Sequence, residues 1–297
     1  MTAGSSTRVT AFAGKGGVGK TTCAAATALH YSRQGLNTLA ISTDSTPSLA
    51  HIFEAAAGSG PVRVGDNLQF CEIGLEEARR RWDARFGREV FQVFSSFVDI
   101  SYADFTEYMA SVLPGLAEEF TVDHIRELSE SGSYDAIVWD TAPLGQTLAL
   151  LETPSLLTRH LRMAPRIYAT LKTGAGTKEP ILDIIGRWEE LSAADMRFLA
   201  SKVNFNIVAI AEALSVSQLA GTLAEMERYR FRAGRLIVNN LVDGADSGFL
   251  RQKAAQQAGY LEMLRSSYGH LEIRELPLFP HEVKGLAALE KVAGILY

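Results

Sequence analysis

Gly14-Lys15-Gly16-Gly17-Val18-Gly19-Lys20-Thr21 matches the pattern GxxxxGK[ST] in full. Glycines at this spacing let successive backbone N–H groups turn inward around a polyphosphate with no Cβ in the way. A helix starting at Lys20 would add the positive end of its dipole. In such a loop Lys20 is expected to reach the β- and γ-phosphates of a nucleotide, and the Thr21 hydroxyl to ligate Mg²⁺, with Thr22 continuing the turn. Lys15 is a second cation beside the first glycine. It is placed to neutralise charge on a transferring phosphoryl group, within one subunit or across an interface; a solvated loop lysine is the alternative. Two carboxylates, Asp44 and Asp140, close apolar runs further along. Strand ends are where open parallel sheets build their sites, although each Asp could instead cap a helix.

The loop has its chemical meaning only between a strand and a helix. Residues 8–13 (RVTAFA) read as the strand, and the alanine-rich stretch 20–34 as the helix, stopped by Gly35. Further strand-like runs are 38–42 (TLAIS), 68–73 (LQFCEI), 136–139 (AIVW), 206–211 (NIVAIA), 235–238 (RLIV) and 271–276 (LEIREL), mostly separated by helix-length amphipathic stretches. Continuous apolar strands alternating with helices predict an α/β fold, a doubly wound and mostly parallel sheet covered on both faces, in one domain over 1–297. Two regions exceed a minimal crossover: 76–129, with Trp82, Phe86, Val90, Phe94 and Val98 and then Phe105, Met109 and Leu113; and 155–201, with Leu157, Leu161, Ala164, Tyr168 and Leu171 and then Ile181, Ile185, Trp188 and Leu191. Their helical spacing predicts a helical subdomain built from two insertions. Its apolar stripes either pack as core or line a groove for a client helix.

Composition narrows the function further. The chain has 297 residues, 47% hydrophobic and 21% charged, with 29 Lys and Arg against 34 Asp and Glu for a net charge of −5. That is an ordinary globular balance, and its mild acidity argues against a nucleic-acid partner or a polybasic membrane surface. Cys23 and Cys71 are the only cysteines, too few for a disulfide framework or a zinc ribbon within one chain, which points to a reducing, cytoplasmic setting. The opening MTAGSSTR has no apolar signal core, and no run nears the ~18 apolar residues of a spanning helix, so no direct membrane insertion is expected.

KGGVGKTT at 15–22, STD at 42–44, DTAP at 140–143, IVNN at 237–240 and LPLFPHEVKGLAAL at 276–289 together resemble the arsenite-pump ATPase family. This branch of the P-loop NTPases has a deviant Walker A loop with a signature lysine, here Lys15, and it also contains the targeting ATPase for tail-anchored membrane proteins. The resemblance implies ATP and Mg²⁺ as cofactors. It implies Asp44 as the first switch aspartate, acting on the attacking water, and Asp140 as the second, contacting Mg²⁺ through water. It makes Asn239 the asparagine that reads the adenine edge, with Pro277 and Phe279 in the loop that packs on the base. The catalytic set is then Lys15, Lys20 and Asp44. With one copy of the fold per chain, a homodimer is the expected way to pair two sites.

The departures from the family pattern are specific. Pro47 and His51 replace the histidine and second carboxylate of DPAHSLSD, Leu144 and Gln146 replace the Thr and His of DTAPTGHT, and Ser247 and Leu250 stand where many targeting members carry a zinc-binding CxxC. Hydrolysis is expected to survive, since both aspartates are kept, while its coupling to shape change is altered. The expectation is a Mg-dependent ATPase whose dimer opening and closing serves a hydrophobic helical client, as in tail-anchor targeting. An ATPase subunit driving a membrane pump for arsenite, or a positioning or metalloenzyme-maturation ATPase, are the alternatives.

Overall fold

Strands apolar along their whole length need cover on both faces, and the chain supplies it. The computed structural model describes residues 6–43, 48–74, 77, 80, 83–95, 98–112, 116–141, 181–244 and 246–297. Its eight strands are β1 (Arg8–Gly14), β2 (Thr38–Ser42), β3 (Val62–Gly65), β4 (Leu68–Glu72), β5 (Ala136–Asp140), β6 (Val203–Ile210), β7 (Arg232–Leu241) and β8 (Glu272–Pro277). The described helices are α1 (Lys20–Arg33), α2 (Leu49–Phe53), α3 (Arg88–Ser95), α4 (Tyr102–Val112), α5 (Leu116–Glu130), α6 (Ile181–Ser201), α7 (Ala213–Arg228), α8 (Gly248–Tyr268) and α9 (Gly285–Leu296). The chain divides into two compact units: Met1–Ile73, Glu127–Leu144 and Leu199–Tyr297 form one, and Gly74–Arg126 with Gly145–Phe198 the other.

The first unit holds the sheet, in the order β3-β4-β2-β5-β1-β6-β7-β8. Every neighbouring pair is parallel except β3–β4. β1 lies between β5 and β6, so the chain leaves it towards β2 on one side and later returns to add β6 on the other. This reversal opens a crevice at the carboxyl ends of the strands, the usual seat of a ligand in such sheets. The register brings the chemistry there: Asp140 lies level with Phe12 on one side and Ser42 on the other. β2 and β5 are buried at every position. On one face Ala24, Ala25, Ala26 and Ala28 of α1 are fully buried, and Leu289, Val292, Ala293 and Leu296 of α9 join them in the same apolar cluster. Small side chains let α1, which carries the glycine loop at its start, sit close to the sheet.

The second unit is helical. Within the stripe expected from Trp82 to Val98, a π-helical turn at Asp83–Gly87 leads into α3, and Val98 is 54% exposed; Trp82 lies outside the described residues. Beside this turn the Tyr102 hydroxyl donates to Asp83 Oδ1 at 2.6 Å, and a Cβ on Gly87 would fall 2.1 Å from that same oxygen. Phe91 packs edge-on against Tyr102 and close to the fully buried Phe105. Arg126 of α5 bonds Asp123 on its own helix and, at 2.7 Å, Asp195 of α6, both carboxylates being buried. In the second stripe Trp188 and Leu191 are half-buried on α6, while Leu157, Leu161, Ala164, Tyr168 and Leu171 lie outside the described residues.

Two sheet elements differ from the sequence reading. β3 is a short edge strand whose VRVG alternates and stays half-buried, so it lacks the apolar run that marks the others. β6 begins at Val203 because Asn204, although polar, sits at an exposed end of a strand buried from Phe205 on. Among the described residues no helix is long and apolar enough to cross a membrane. Since Leu289 is fully buried between α1 and the sheet, Leu289→Ala is expected to cost about 2–5 kcal/mol, read as a lowered urea midpoint with an unchanged m-value.

Candidate functional site

β1 stops at Gly14 because the chain there passes against β6: a Cβ on Gly14 would lie 2.3 Å from the Val208 carbonyl oxygen. At the other end of the loop Gly19 has φ +98°, and a Cβ there would meet the Asn239 amide nitrogen at 2.3 Å. Glycine is therefore required at both ends, by close approach at the first and by approach plus handedness at the second. Between them Gly16 and Gly17 are exposed, Lys15 is half-buried, and Val18 is buried as the apolar foot of the turn.

Lys20 is 6% exposed, and its ammonium donates to the Lys15 carbonyl oxygen at 2.9 Å. A neutral carbonyl is a weak partner for a desolvated cation, and an anionic phosphate oxygen displaces it readily. One turn on, Thr21 Oγ1 donates to Asp140 Oδ2 at 2.8 Å, and Ser42 Oγ donates to the same oxygen at 3.1 Å. The Ser48 hydroxyl approaches Thr21 Oγ1 at 3.4 Å. Asp140 is 1% exposed, so one buried carboxylate gathers the loop helix and β2 at the end of β5. The residue after it is fixed too: Thr141 N and Oγ1 both donate to the Phe12 carbonyl, at 3.3 and 3.0 Å.

These parts fit a Mg²⁺-bound nucleoside triphosphate by their donor set. There is a hydroxyl beside a carboxylate for a hard cation that keeps most of its water, and a buried ammonium beside a glycine loop for phosphate. Among the described residues no group of three or more His, Cys, Asp or Glu is placed to hold a metal ion by itself. A cation here would accordingly share its coordination with the phosphates. Thr22 is half-buried behind Thr21.

The remaining expected residues fall in different places. Asn239, on β7, is 9% exposed and donates from Nδ2 to the Val18 carbonyl at 2.9 Å. Its amide thus props the glycine loop, a contact that no pattern of neighbouring residues foretells. Pro277 closes β8, and Phe279 packs half-buried against the core cluster, while the intervening Leu278 is 52% exposed. Asp44 lies outside the described residues, as do Pro47, Leu144 and Gln146. His51 is described: on α2 it bonds Glu282 Oε1 at 3.1 Å, in the stretch before α9. Lys284 and then His51 hold the Glu282 carboxyl below its ordinary value.

Sequence reasoning passed over Glu72, at the end of β4. Its Oε1 accepts the backbone N–H groups of Ser48, Leu49 and Ala50 at 2.7, 2.7 and 3.2 Å. Its position closing an apolar run, like those of Asp44 and Asp140, was the available signal.

A family model described as anion-transporting ATPase matches residues 7–297. Among curated relatives, the chain is 28% identical to a putative arsenical pump-driving ATPase of Chlorobaculum tepidum, over 98% of this chain and 75% of that protein. It is 28% identical to the ATPase GET3B of Arabidopsis thaliana, over 100% of this chain and 80% of that one. It is 27% identical to the ATPase get3 of Aspergillus terreus, over 95% and 88% respectively.

Both thiols are buried, Cys23 on α1 and Cys71 on β4. Burial first, and then the negative charge of Asp140, push the Cys23 thiol up to about 12 from 9.0. The thiolate is the reactive form, so folded protein at pH 8 is expected to leave Cys23 unmodified by iodoacetamide. Mass spectrometry should find it alkylated only after denaturation.

Proposed function

The chain belongs to the anion-transporting ATPase family, and from that premise we propose a Mg-dependent ATPase in which nucleotide-driven opening and closing of a homodimer is coupled to a hydrophobic helical client, as in the targeting of tail-anchored membrane proteins. That it is an ATPase and binds nucleotide follows from the family itself. The observation that carries the rest is the meeting of Thr21 and Ser42 on the buried Asp140 beside Lys20.

Bound Mg-ATP supplies the γ-phosphoryl group and the cation that neutralises its oxygens. Lys20 leaves the Lys15 carbonyl for the β- and γ-phosphates. Thr21 would offer its hydroxyl to the cation, and Asp140, which accepts from that hydroxyl, would orient it. The amides of Gly16, Gly17, Val18 and Gly19 line the phosphates, Asn239 keeps the turn in shape and faces the base, and Pro277 with Phe279 bounds the base side. Asp44 orients water for in-line attack. Lys15 neutralises charge from across the dimer.

The client reading rests on the helical unit, which hydrolysis alone does not need, and on the motif resemblance to the targeting branch. Its segments around 76–129 and 155–201 are the client-facing or effector parts. The name of the Chlorobaculum tepidum relative favours a second reading, an ATPase driving an arsenical pump. A soft metalloid needs thiolates, however, and burial holds Cys23 as a thiol.

Asp44→Asn is expected to lower ATP turnover by at least ~100-fold while the Kd for ATP, from calorimetry with Mg²⁺, stays within about threefold. Purified with ATP, that variant should retain an apolar helical peptide that the nucleotide-free protein releases. Wild-type turnover in Asp44→Asn would reject the water-orienting role. Arsenite-stimulated hydrolysis that disappears when both cysteines are replaced would shift the assignment to the pump.

A further inference from the structure

Glutamine is seldom buried, because both ends of its amide must find partners once water is gone. Of the residues of α8 only Gln257 and Leu264 are buried, and Gln257 is 4% exposed. Its amide goes to the backbone at the end of β7: Nε2 donates to the Asn240 carbonyl at 2.8 Å, and Oε1 accepts from Val242 N at 2.8 Å. A single orientation of the amide serves both partners, so the side chain is fixed to its tip.

The backbone it grips is irregular. In the β7–β8 pairing Val238 lies opposite Glu275 and Leu241 opposite Pro277, so β7 carries one more residue than β8 over that interval. Asn240 sits within it at φ 59°, in the left-handed region that residues with a side chain rarely adopt. A bulge of this kind persists where surrounding contacts over-determine it. Gln257 supplies two of them, and Leu278 N adds another by donating to the Leu241 carbonyl at 2.7 Å. Immediately before the left-handed residue stands Asn239, level with Ile210 of β6. Its Nδ2 donates to the Val18 carbonyl at 2.9 Å, and that nitrogen lies 2.3 Å from where a Cβ on Gly19 would fall. A trans peptide turns its C=O and N–H to opposite sides. The bond that fixes the Val18 carbonyl therefore fixes the direction of the Gly19 N–H.

We propose that Gln257 is a positioning residue for the ATPase: from α8 it holds the bulge that keeps Asn239 against Val18, and so keeps the Gly19 N–H aimed at a nucleotide phosphate. This rests on the reading of the glycine loop as the phosphate cradle. The line from helix to loop consists of three hydrogen bonds, each between a side-chain amide and the backbone. A contact to phosphates that stay with the nucleotide is made alike before and in the transition state, so its loss raises KM and spares kcat.

The test measures the Kd for Mg-ATP by calorimetry, steady-state hydrolysis and urea unfolding in Gln257→Leu, Asn239→Ala and the double variant. Leucine nearly keeps the volume of Gln257 without its hydrogen bonds. Asn239→Ala should raise the Kd ~10-fold and Gln257→Leu ~3–10-fold, with KM following and kcat within about threefold. The double variant should bind no more than about twofold more weakly than Asn239→Ala alone, because Gln257 acts through Asn239. Losses that multiply, to ~30–100-fold in the double variant, would overturn the proposal. So would a wild-type Kd in Gln257→Leu, whatever its urea midpoint, or a lowered kcat with KM unchanged. If Gln257→Leu fails to fold, Gln257→Glu carries the same expectation at pH 8, since its carboxylate accepts from Val242 N but cannot donate to the Asn240 carbonyl. Lys20→Ala separates the two readings. Unchanged ATP binding in that variant would strike down the phosphate cradle, whereas weakened binding there beside a wild-type Kd in Gln257→Leu would strike down the clamp alone.

Discussion

Two hydroxyls converge on one oxygen of a carboxylate that water barely reaches: Thr21 and Ser42 both donate to Asp140 Oδ2. A buried carboxylate is tolerable only when donors replace its hydration. Here the donors come from the helix after the glycine loop and from the neighbouring strand. Asp140 thereby ties together three segments that sequence keeps far apart. The parallel register that sets Ser42 and Phe12 level with Asp140 makes this possible, and the Thr141 bonds to Phe12 extend it across β1. Displacement of β5 by one residue would turn the carboxylate to the opposite face and leave the loop helix without its partner.

The same edge of the sheet gathers the rest of the machinery. The glycine loop is shaped on one side by the Val208 carbonyl of β6 and propped on the other by the Asn239 amide of β7. β6 and β7 thus shape the glycine loop as well as the core. On the far side Glu72 of β4 grips α2, and His51 of that helix reaches Glu282. α2 is therefore tied both to the end of β4 and to the stretch that follows β8. His51, expected from the family resemblance to replace a carboxylate, has a described partner in Glu282.

Electrostatics separates the Cys23 thiol from the chemistry around it. Cys23 lies two residues after Thr21, yet burial and the nearby Asp140 charge hold it protonated. Low dielectric and a neighbouring anion both act against a thiolate. Closeness in sequence to the glycine loop therefore does not lower the Cys23 pKa, which burial raises. In the helical unit a half-buried guanidinium serves a different end: Arg126, between the buried Asp123 and Asp195, offsets carboxylates that would be costly alone and joins α5 to α6.

Local pattern was enough for the glycine loop, for the alanine-rich α1 and for the alternation that implies a parallel sheet, because backbone preference and burial period are carried by adjacent residues. It was enough, too, to mark Asp140 as a strand-end carboxylate. It failed at β3, whose alternation is short and half-buried, and in the stripe from Trp82 to Val98, where a bond between Asp83 and Tyr102 accompanies a π-helical turn that helical spacing does not anticipate. It gave no hint that Asn239 would spend an amide hydrogen on Val18, or that Glu72 would cap a helix beginning more than twenty residues before it. Those contacts depend on which strand lies beside which and at what register, and only the folded sheet decides that, since no run of neighbouring residues encodes the distance between two chain segments.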